Sequence, residues 1–375
     1  MNSFKNRPKS QDVIAASIAI VVVFISGLAI YQTSSGESGL AAAVRAITRS
    51  VTSKSAATKS AANANGLNLG INLDGPAYWS PLGSHCDATT AFSPWMEPNT
   101  TDYGKTGLFV TDPTKLTADN YPLKNADSIT LLLGYNSGPF KVSFDGSGDV
   151  NIQGVSNWTK VGNKSSGTVN LQTGNLSLIQ IRNVDTTNPI RNLKIVPANE
   201  SECVAGNTYR NLFLTKLAPF KTIRFMDWQS TNESQIVNWS DRSPKTAYGH
   251  MGVIPNKMGN AGLAYEDLIE LANITGKDIW VNVPAHASDD FMRQFARLLK
   301  NNLNADSKVY VEYSNEVWNS IFEQHRFAKD MGHKVSPWPN ASDTEVAGYY
   351  YGMQTKKMAD IFKSEFGATQ FQNRI

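Results

Sequence analysis

Cysteine is almost missing from this chain. Among 375 residues only Cys86 and Cys203 occur, which excludes a disulfide-dense miniature fold and a cysteine-rich zinc module. An excess of one charge sign is missing as well. The formal charge is +3, but residues 1–65 hold seven Lys and Arg against two Asp and Glu, leaving 28 against 30 in residues 66–375. So neutral a folded part offers no broad cationic face to phosphates, and nucleic acid is not expected as a partner. No glycine-rich phosphate loop and no Gly-x-Ser-x-Gly elbow is present, and the ligand-type run His85-Cys86-Asp87 has a spacing that fits no metal pattern. Neither cofactor nor metal is expected. What the chain does have is apolar content, 41% hydrophobic and 10% aromatic residues against 18% charged. That is enough for two cored domains and too much for wholesale disorder.

One hydrophobic run is long. Residues 13–31 carry no charge and as a helix would extend roughly 28 Å at about 1.5 Å per residue, close to a bilayer core. Lys5, Arg7 and Lys9 precede it; basic flanks stay on the cytoplasmic side, which sends everything after Tyr31 across the membrane. Residues 1–12 therefore read as a cytoplasmic basic segment and 13–31 as a single-pass transmembrane signal anchor. The alternative is a cleaved signal peptide, with Ala41 to Ala43 as its small-residue site and a secreted product. Residues 32–65, rich in Ser, Ala, Thr and Asn without an apolar period, read as a flexible linker. Either way the remainder is extracytoplasmic, periplasmic or extracellular, where cysteines can be oxidised.

Two grammars follow the linker. Residues 100–203 hold short alternating or apolar runs punctuated by Gly, Asn, Asp and Pro, with strands at 128–133, 141–144, 167–171, 177–181 and 191–196, the pattern of a β-sandwich. From residue 204 helix and strand alternate: helices at 209–218, 264–275 and 290–303, strands at 222–228, 278–284 and 308–314, then a long helical region through Phe366. Such alternation implies parallel strands with crossover helices, in a (β/α) barrel or a doubly wound sheet. A strand at 67–73 precedes the sandwich and serves as the first strand of that α/β unit, so residues 66–99 and 204–375 form one body and 100–203 is an insertion. Cys86 and Cys203 flank the insertion, and a disulfide between them would clamp its two ends; two unpaired buried thiols are the alternative.

The most specific stretch is Val309-Tyr-Val-Glu-Tyr-Ser-Asn-Glu-Val-Trp-Asn319. A strand running into Asn315 and Glu316 puts a carboxylate at the C-terminal mouth of a parallel sheet, where barrel enzymes keep their chemistry. Glu312, Ser314 and Glu316 share strand parity and would line one face if the strand continues that far. Glycoside cleavage needs a carboxylic acid beside the leaving oxygen, and a neighbouring amide can hold a sugar hydroxyl.

Glu-Tyr-Ser-Asn-Glu resembles the fourth-strand motif of clan A glycoside hydrolases, the cellulase-like (β/α)8 barrels. That resemblance implies Glu316 as general acid/base and Asn315 as a ligand of the sugar 2-hydroxyl. Arg224, in Thr-Ile-Arg-Phe-Met-Asp-Trp, resembles the second-strand arginine of these enzymes; His286, in Val-Asn-Val-Pro-Ala-His, is similar in place to a third-strand histidine; Gly70-Ile-Asn-Leu resembles their first strand. Residues 67–375 also resemble exported bacterial proteins with a sandwich inserted in the first half of such a barrel, through Pro189-Ile-Arg-Asn-Leu, Arg224-Phe-Met-Asp-Trp, Trp239-Ser-Asp-Arg and Ser-Asn-Glu-Val-Trp-Asn. The implied fold class is α/β: the N-terminal half of a (β/α)8 TIM barrel with an inserted β-sandwich, preceded by a transmembrane helix. Val317 stands where the clan usually has Pro. The clan's nucleophile, a second Glu, lies at the end of the seventh strand, whereas four barrel strands are counted before Ile375. The expectation is a truncated chain without the nucleophile and without retaining hydrolase activity of its own.

Each residue has a plainer reading beside this one. Glu316 could cap the following helix, Arg224 could be a structural ion-pair partner, and His286 a hydrogen-bonded loop histidine. Trp228, Trp239 and Trp318 suit either the core or stacking on sugar faces. Asp227, counted among the substrate-binding candidates, and Asp289 and Asp290 are of the types that cap loops and helices. Asn157, Asn175 and Asn273 head glycosylation sequons. The leading expectation is an anchored, exported glycoside hydrolase-like protein acting on polysaccharide; the alternatives are a non-catalytic carbohydrate-binding protein and a polysaccharide-export accessory.

Overall fold

The computed structural model describes residues 68–98, 110, 112–152, 159–161, 164–199, 201–203, 207–249 and 261–375. The segments 1–12, 13–31 and 32–65 and Asn157 lie outside the described residues. Among the described residues no helix is long and apolar enough to cross a membrane.

The strands are β1 (Gly70–Asn72), β2 (Ala126–Thr130), β3 (Gly138–Asp145), β4 (Asp149–Ile152), β5 (Thr159–Val161), β6 (Lys164–Leu171), β7 (Ser177–Arg182), β8 (Arg191–Pro197), β9 (Thr222–Arg224), β10 (Asp278–Val283) and β11 (Val309–Tyr313). The helices are α1 (Asn211–Leu217), α2 (Tyr265–Thr275), α3 (Asp289–Asn302), α4 (Glu323–Val335), α5 (Asp343–Phe366) and α6 (Ala368–Arg374). The protein is mixed α/β. One sheet, in the order β1-β9-β10-β11, is parallel throughout, as crossover helices between successive strands require.

Residues alternate between the two faces of that sheet. Ile71, Ile223, Ile279, Val281, Val283, Val309, Val311 and Tyr313 point one way and pack with Leu268, Leu271, Phe291, Phe295, Ile361 and Phe362 of the helices in one apolar core. The other face carries Asn72, Arg224, Trp280, Asn282, Tyr310 and Glu312. Its polarity is what makes it the candidate for chemistry. Ser288 caps α3 by accepting from Phe291 N at 3.2 Å, and a capping box of Ser342 and Glu345 starts α5. The expected single helical region through Phe366 is broken between α4 and α5, where Pro337 and Pro339 withdraw backbone donors and restrict their neighbours.

Between the sheet neighbours β1 and β9 the chain forms two antiparallel sheets, β2-β7-β4 and β5-β6-β3-β8. Alternate residues of both, among them Phe140, Val142, Val150, Val169, Ile179, Ile181 and Ile195, share a second core, the two-layer arrangement that the alternation favours. β4 and β5 were not anticipated: each is too short to register as a periodic run. Where this pair of sheets joins the parallel unit, Cys86 and Cys203 are disulfide-bonded with Cα atoms 5.6 Å apart. Cys86 N donates to Thr208 O at 2.8 Å, and His85 and Tyr209 form a β-bridge. Gly83 and Gly134 touch backbone to backbone here; a Cβ at Gly134 would lie 2.2 Å from Gly83 N, so no side chain fits at that point. Tyr248, on the loop after β9, is buried in the antiparallel core with its ring 4.4 Å from that of Trp95.

Candidate active site at the C-terminal edge of the parallel sheet

Glu312 organises the polar face. Its Oε2 accepts from Arg224 Nη2 at 2.8 Å, Asn282 Nδ2 at 2.8 Å and Trp280 Nε1 at 3.0 Å. The Arg224 guanidinium also lies 4.9 Å from the centre of the Trp280 ring, a cation–π contact. From the same guanidinium, Nη2 donates to Asn315 Oδ1 at 2.8 Å and Nη1 to Asn72 Oδ1 at 3.4 Å. Arginine only donates, so the Asn315 amide must turn its oxygen to Arg224 and its nitrogen away; Nδ2 donates to Asn232 Oδ1 at 2.9 Å. Arg224 is thus an ion-pair partner of Glu312 that also orients the Asn315 amide.

The strand stops at Tyr313. Ser314 and Glu316 have φ of 57° and 44°, left-handed values that end the alternation. The expected shared face for Glu312, Ser314 and Glu316 is corrected accordingly: Glu312 alone of the three sits in the strand, and the other two belong to a turn beyond its C-terminal end. The Glu316 carboxylate is half-buried and accepts from Asn319 Nδ2 at 3.0 Å. It does not cap α4, whose N-cap is Phe322. Asn315 is buried beside it, and Trp318, two residues on, is 74% exposed.

His286, after β10, faces α4: Nε2 lies 3.0 Å from both oxygens of Glu323, and its ring centre lies 3.9 Å from that of Phe327 with the planes tilted by 40°. Asp227, after β9, accepts from Asn72 Nδ2 at 2.8 Å. Burial pushes its carboxyl above the usual carboxylate range against that hydrogen bond, and the charge of Asp74 adds to the rise.

Of the two readings open to the tryptophans, Trp228 takes the core one. Trp228 is 0% exposed, packed among Tyr209, Phe213 and Phe225 with Nε1 donating to Asp74 O at 3.0 Å, so neither ring face can meet a sugar. It is core because β9 ends at Arg224, four residues before the expected strand end at Trp228, and the following turn folds the indole inward. Trp239 packs on Tyr265, Phe291 and Phe295 on the helix side of the sheet, with Arg242 covering its ring at 4.2 Å. Asp289 and Asp290 lie in the first turn of α3, where their charge favours the helix. Cys86 is committed to the disulfide and Asp87 accepts from Ile195 N and Thr89 N. Among the described residues no group of three or more His, Cys, Asp or Glu is placed to hold a metal ion.

Asn72, Asn282, Trp280 and Glu312 carry the polar face, yet sequence reasoning used only Glu312 and only for its parity. A signal was available: a polar residue at alternate positions of an otherwise apolar parallel strand, as in Trp280-Val-Asn-Val and Tyr310-Val-Glu-Tyr, marks a face that is not packed against helices. Asn232, Glu233, Glu323 and Gln324 left no such trace, because they reach the site from loops and a helix start. Comparison with protein-family models, with curated proteins and with solved structures returns no match for this chain.

Proposed function

We propose that the four parallel strands are the first half of a (β/α)8 barrel of the clan A glycoside hydrolase kind, with the antiparallel sheets as its inserted sandwich. In this reading the protein acts on polysaccharide outside the cytoplasm, tethered through residues 13–31, and Glu316 is its general acid/base. The observation that carries the reading is the setting of that carboxylate. It lies half-buried at the C-terminal edge of a parallel sheet, beside an asparagine whose amide Arg224 orients. A carboxylic acid there can protonate a glycosidic oxygen. The second hydrogen on Asn315 Nδ2 is left for a sugar hydroxyl, and the exposed indole of Trp318 offers a stacking surface beside it.

Retention of configuration needs a second carboxyl about 5 to 5.5 Å from the first, to attack the sugar; in that clan it comes from a later strand. The test has two arms. This chain should bind β-linked polysaccharide in affinity electrophoresis and lose that retardation on Trp318→Ala. A form extended through the later strands should hydrolyse it and lose the activity on Glu316→Gln, which keeps the shape but cannot deliver the proton. Unchanged hydrolysis by the Gln variant refutes the role of Glu316. Binding without hydrolysis by the extended form across a broad glycan panel supports the carbohydrate-binding or export-accessory reading instead.

A further inference from the structure

We propose that Gln324, the second residue of α4, is the positioning residue for Asn315 and Glu316, acting as a clamp on the left-handed turn that carries them. Its functional meaning rests on the reading of Glu316 above; its structural content does not. Ser314 and Glu316 adopt φ of 57° and 44° although neither is glycine. Side chains avoid this region because Cβ crowds the following carbonyl. Ser314 offers no local compensation: it is fully buried and its Oγ has no hydrogen-bond partner. A turn of this kind persists only if its surroundings hold it.

The holding groups come from two directions. On the sheet side, Ser314 N donates to Val283 O at 2.7 Å and Asn282 Nδ2 donates to Ser314 O at 2.7 Å. On the opposite side His325 Nδ1 lies 2.7 Å from Val317 O, one residue past the turn, and the Asn315 backbone is held by the carboxamide of Gln324. Gln324 Nε2 donates to Asn315 O at 2.9 Å and to Asn232 Oδ1 at 2.7 Å, and Oε1 accepts from Glu233 N at 3.1 Å. Asn232 Oδ1 is also the acceptor for Asn315 Nδ2. Gln324 thus holds the Asn315 backbone directly and its side chain through Asn232, and at 1% exposure it has no water to substitute for these bonds. Both amide hydrogens are used, so a glutamate of the same shape would set a carboxylate against two acceptors, the Asn315 carbonyl and Asn232 Oδ1.

The test is a double-mutant cycle of Ser314→Gly and Gln324→Glu, read by thermal melting, with hydrogen exchange followed in the peptide spanning residues 313–320. In the otherwise unaltered protein Ser314→Gly relieves the left-handed conformation and removes an unpaired hydroxyl, raising Tm by about 2 °C. With Gln324→Glu the turn is released, exchange in 313–320 rises about tenfold, and Ser314→Gly gives no further gain. A merely structural glutamine predicts the same Ser314→Gly increment in both backgrounds and unchanged exchange in 313–320, and that result overturns the proposal. Should Gln324→Glu fail to fold, Gln324→Ala takes its place in the cycle, and an equal Ser314→Gly increment with unchanged exchange in 313–320 overturns the proposal in the same way. No sugar enters these measurements, so a glycan panel without binding or hydrolysis sinks the functional reading and leaves the clamp standing.

Discussion

Removing the disulfide should cost the folded protein several kilocalories without changing its shape. Cys86 and Cys203 are 117 residues apart in sequence, and closing a loop of that length lowers the entropy of the unfolded chain by about 16 cal/mol/K, or about 5 kcal/mol at 25 °C in the chain-entropy account. In the native state the same two ends are already held by the His85–Tyr209 bridge, by Cys86 N on Thr208 O at 2.8 Å and by Arg210 N on Ser84 O at 3.0 Å. A Cys86→Ser, Cys203→Ser double variant therefore keeps its native geometry, and the effect falls on the unfolded ensemble. Urea titration followed by circular dichroism should show unchanged folded signal and a lower midpoint. A thermal melt should fall by roughly 8 °C, at somewhat under 2 °C per kcal/mol for a chain of this size. Reductant added to the unaltered protein should reproduce the shift. A loss below about 1 kcal/mol would refute the reasoning, because the loop then contributes nothing to the unfolded state.

Burial lifts the Asp267 carboxyl to about 6, with Lys245 opposing and Glu270 adding to the rise. A carboxyl that holds its proton more tightly when folded stabilises below its unfolded value near 4 and loses that contribution as pH rises through about 6, in all about 3 kcal/mol. The stability of the unaltered protein relative to Asp267→Asn, from urea midpoints, should therefore fall between pH 4 and pH 7; a constant difference contradicts the buried-carboxyl argument. Trp228→Ala should destabilise by about 3 to 5 kcal/mol as a core deletion, and Trp318→Ala by no more than about 0.5 kcal/mol. Thermal melts that rank them the other way would reverse the assignment of Trp228 to the core.

Local periodicity made much of the fold legible. Val309 to Tyr313 and Asp278 to Val283 are short, mainly apolar runs between helical stretches, and the alternation in Ser177 to Arg182 belongs to a half-buried antiparallel strand. The spacing of Asn315 and Glu316 from the end of such a strand was enough to put a carboxylate at the sheet's C-terminal edge. What periodicity cannot carry is the end of an element and the partner of a side chain. Trp228 looked like a strand-end platform until the turn after Arg224 buried it, and Ser314 and Glu316 looked in register with Glu312 until the backbone turned left-handed. The charge on Arg224 is matched by Glu312, 88 residues later, and Gln324 meets Asn232 across 92 residues. Side-chain chemistry and strand pattern are written locally in the sequence, but which donor meets which acceptor is settled only when packing brings distant segments within about 3 Å of one another.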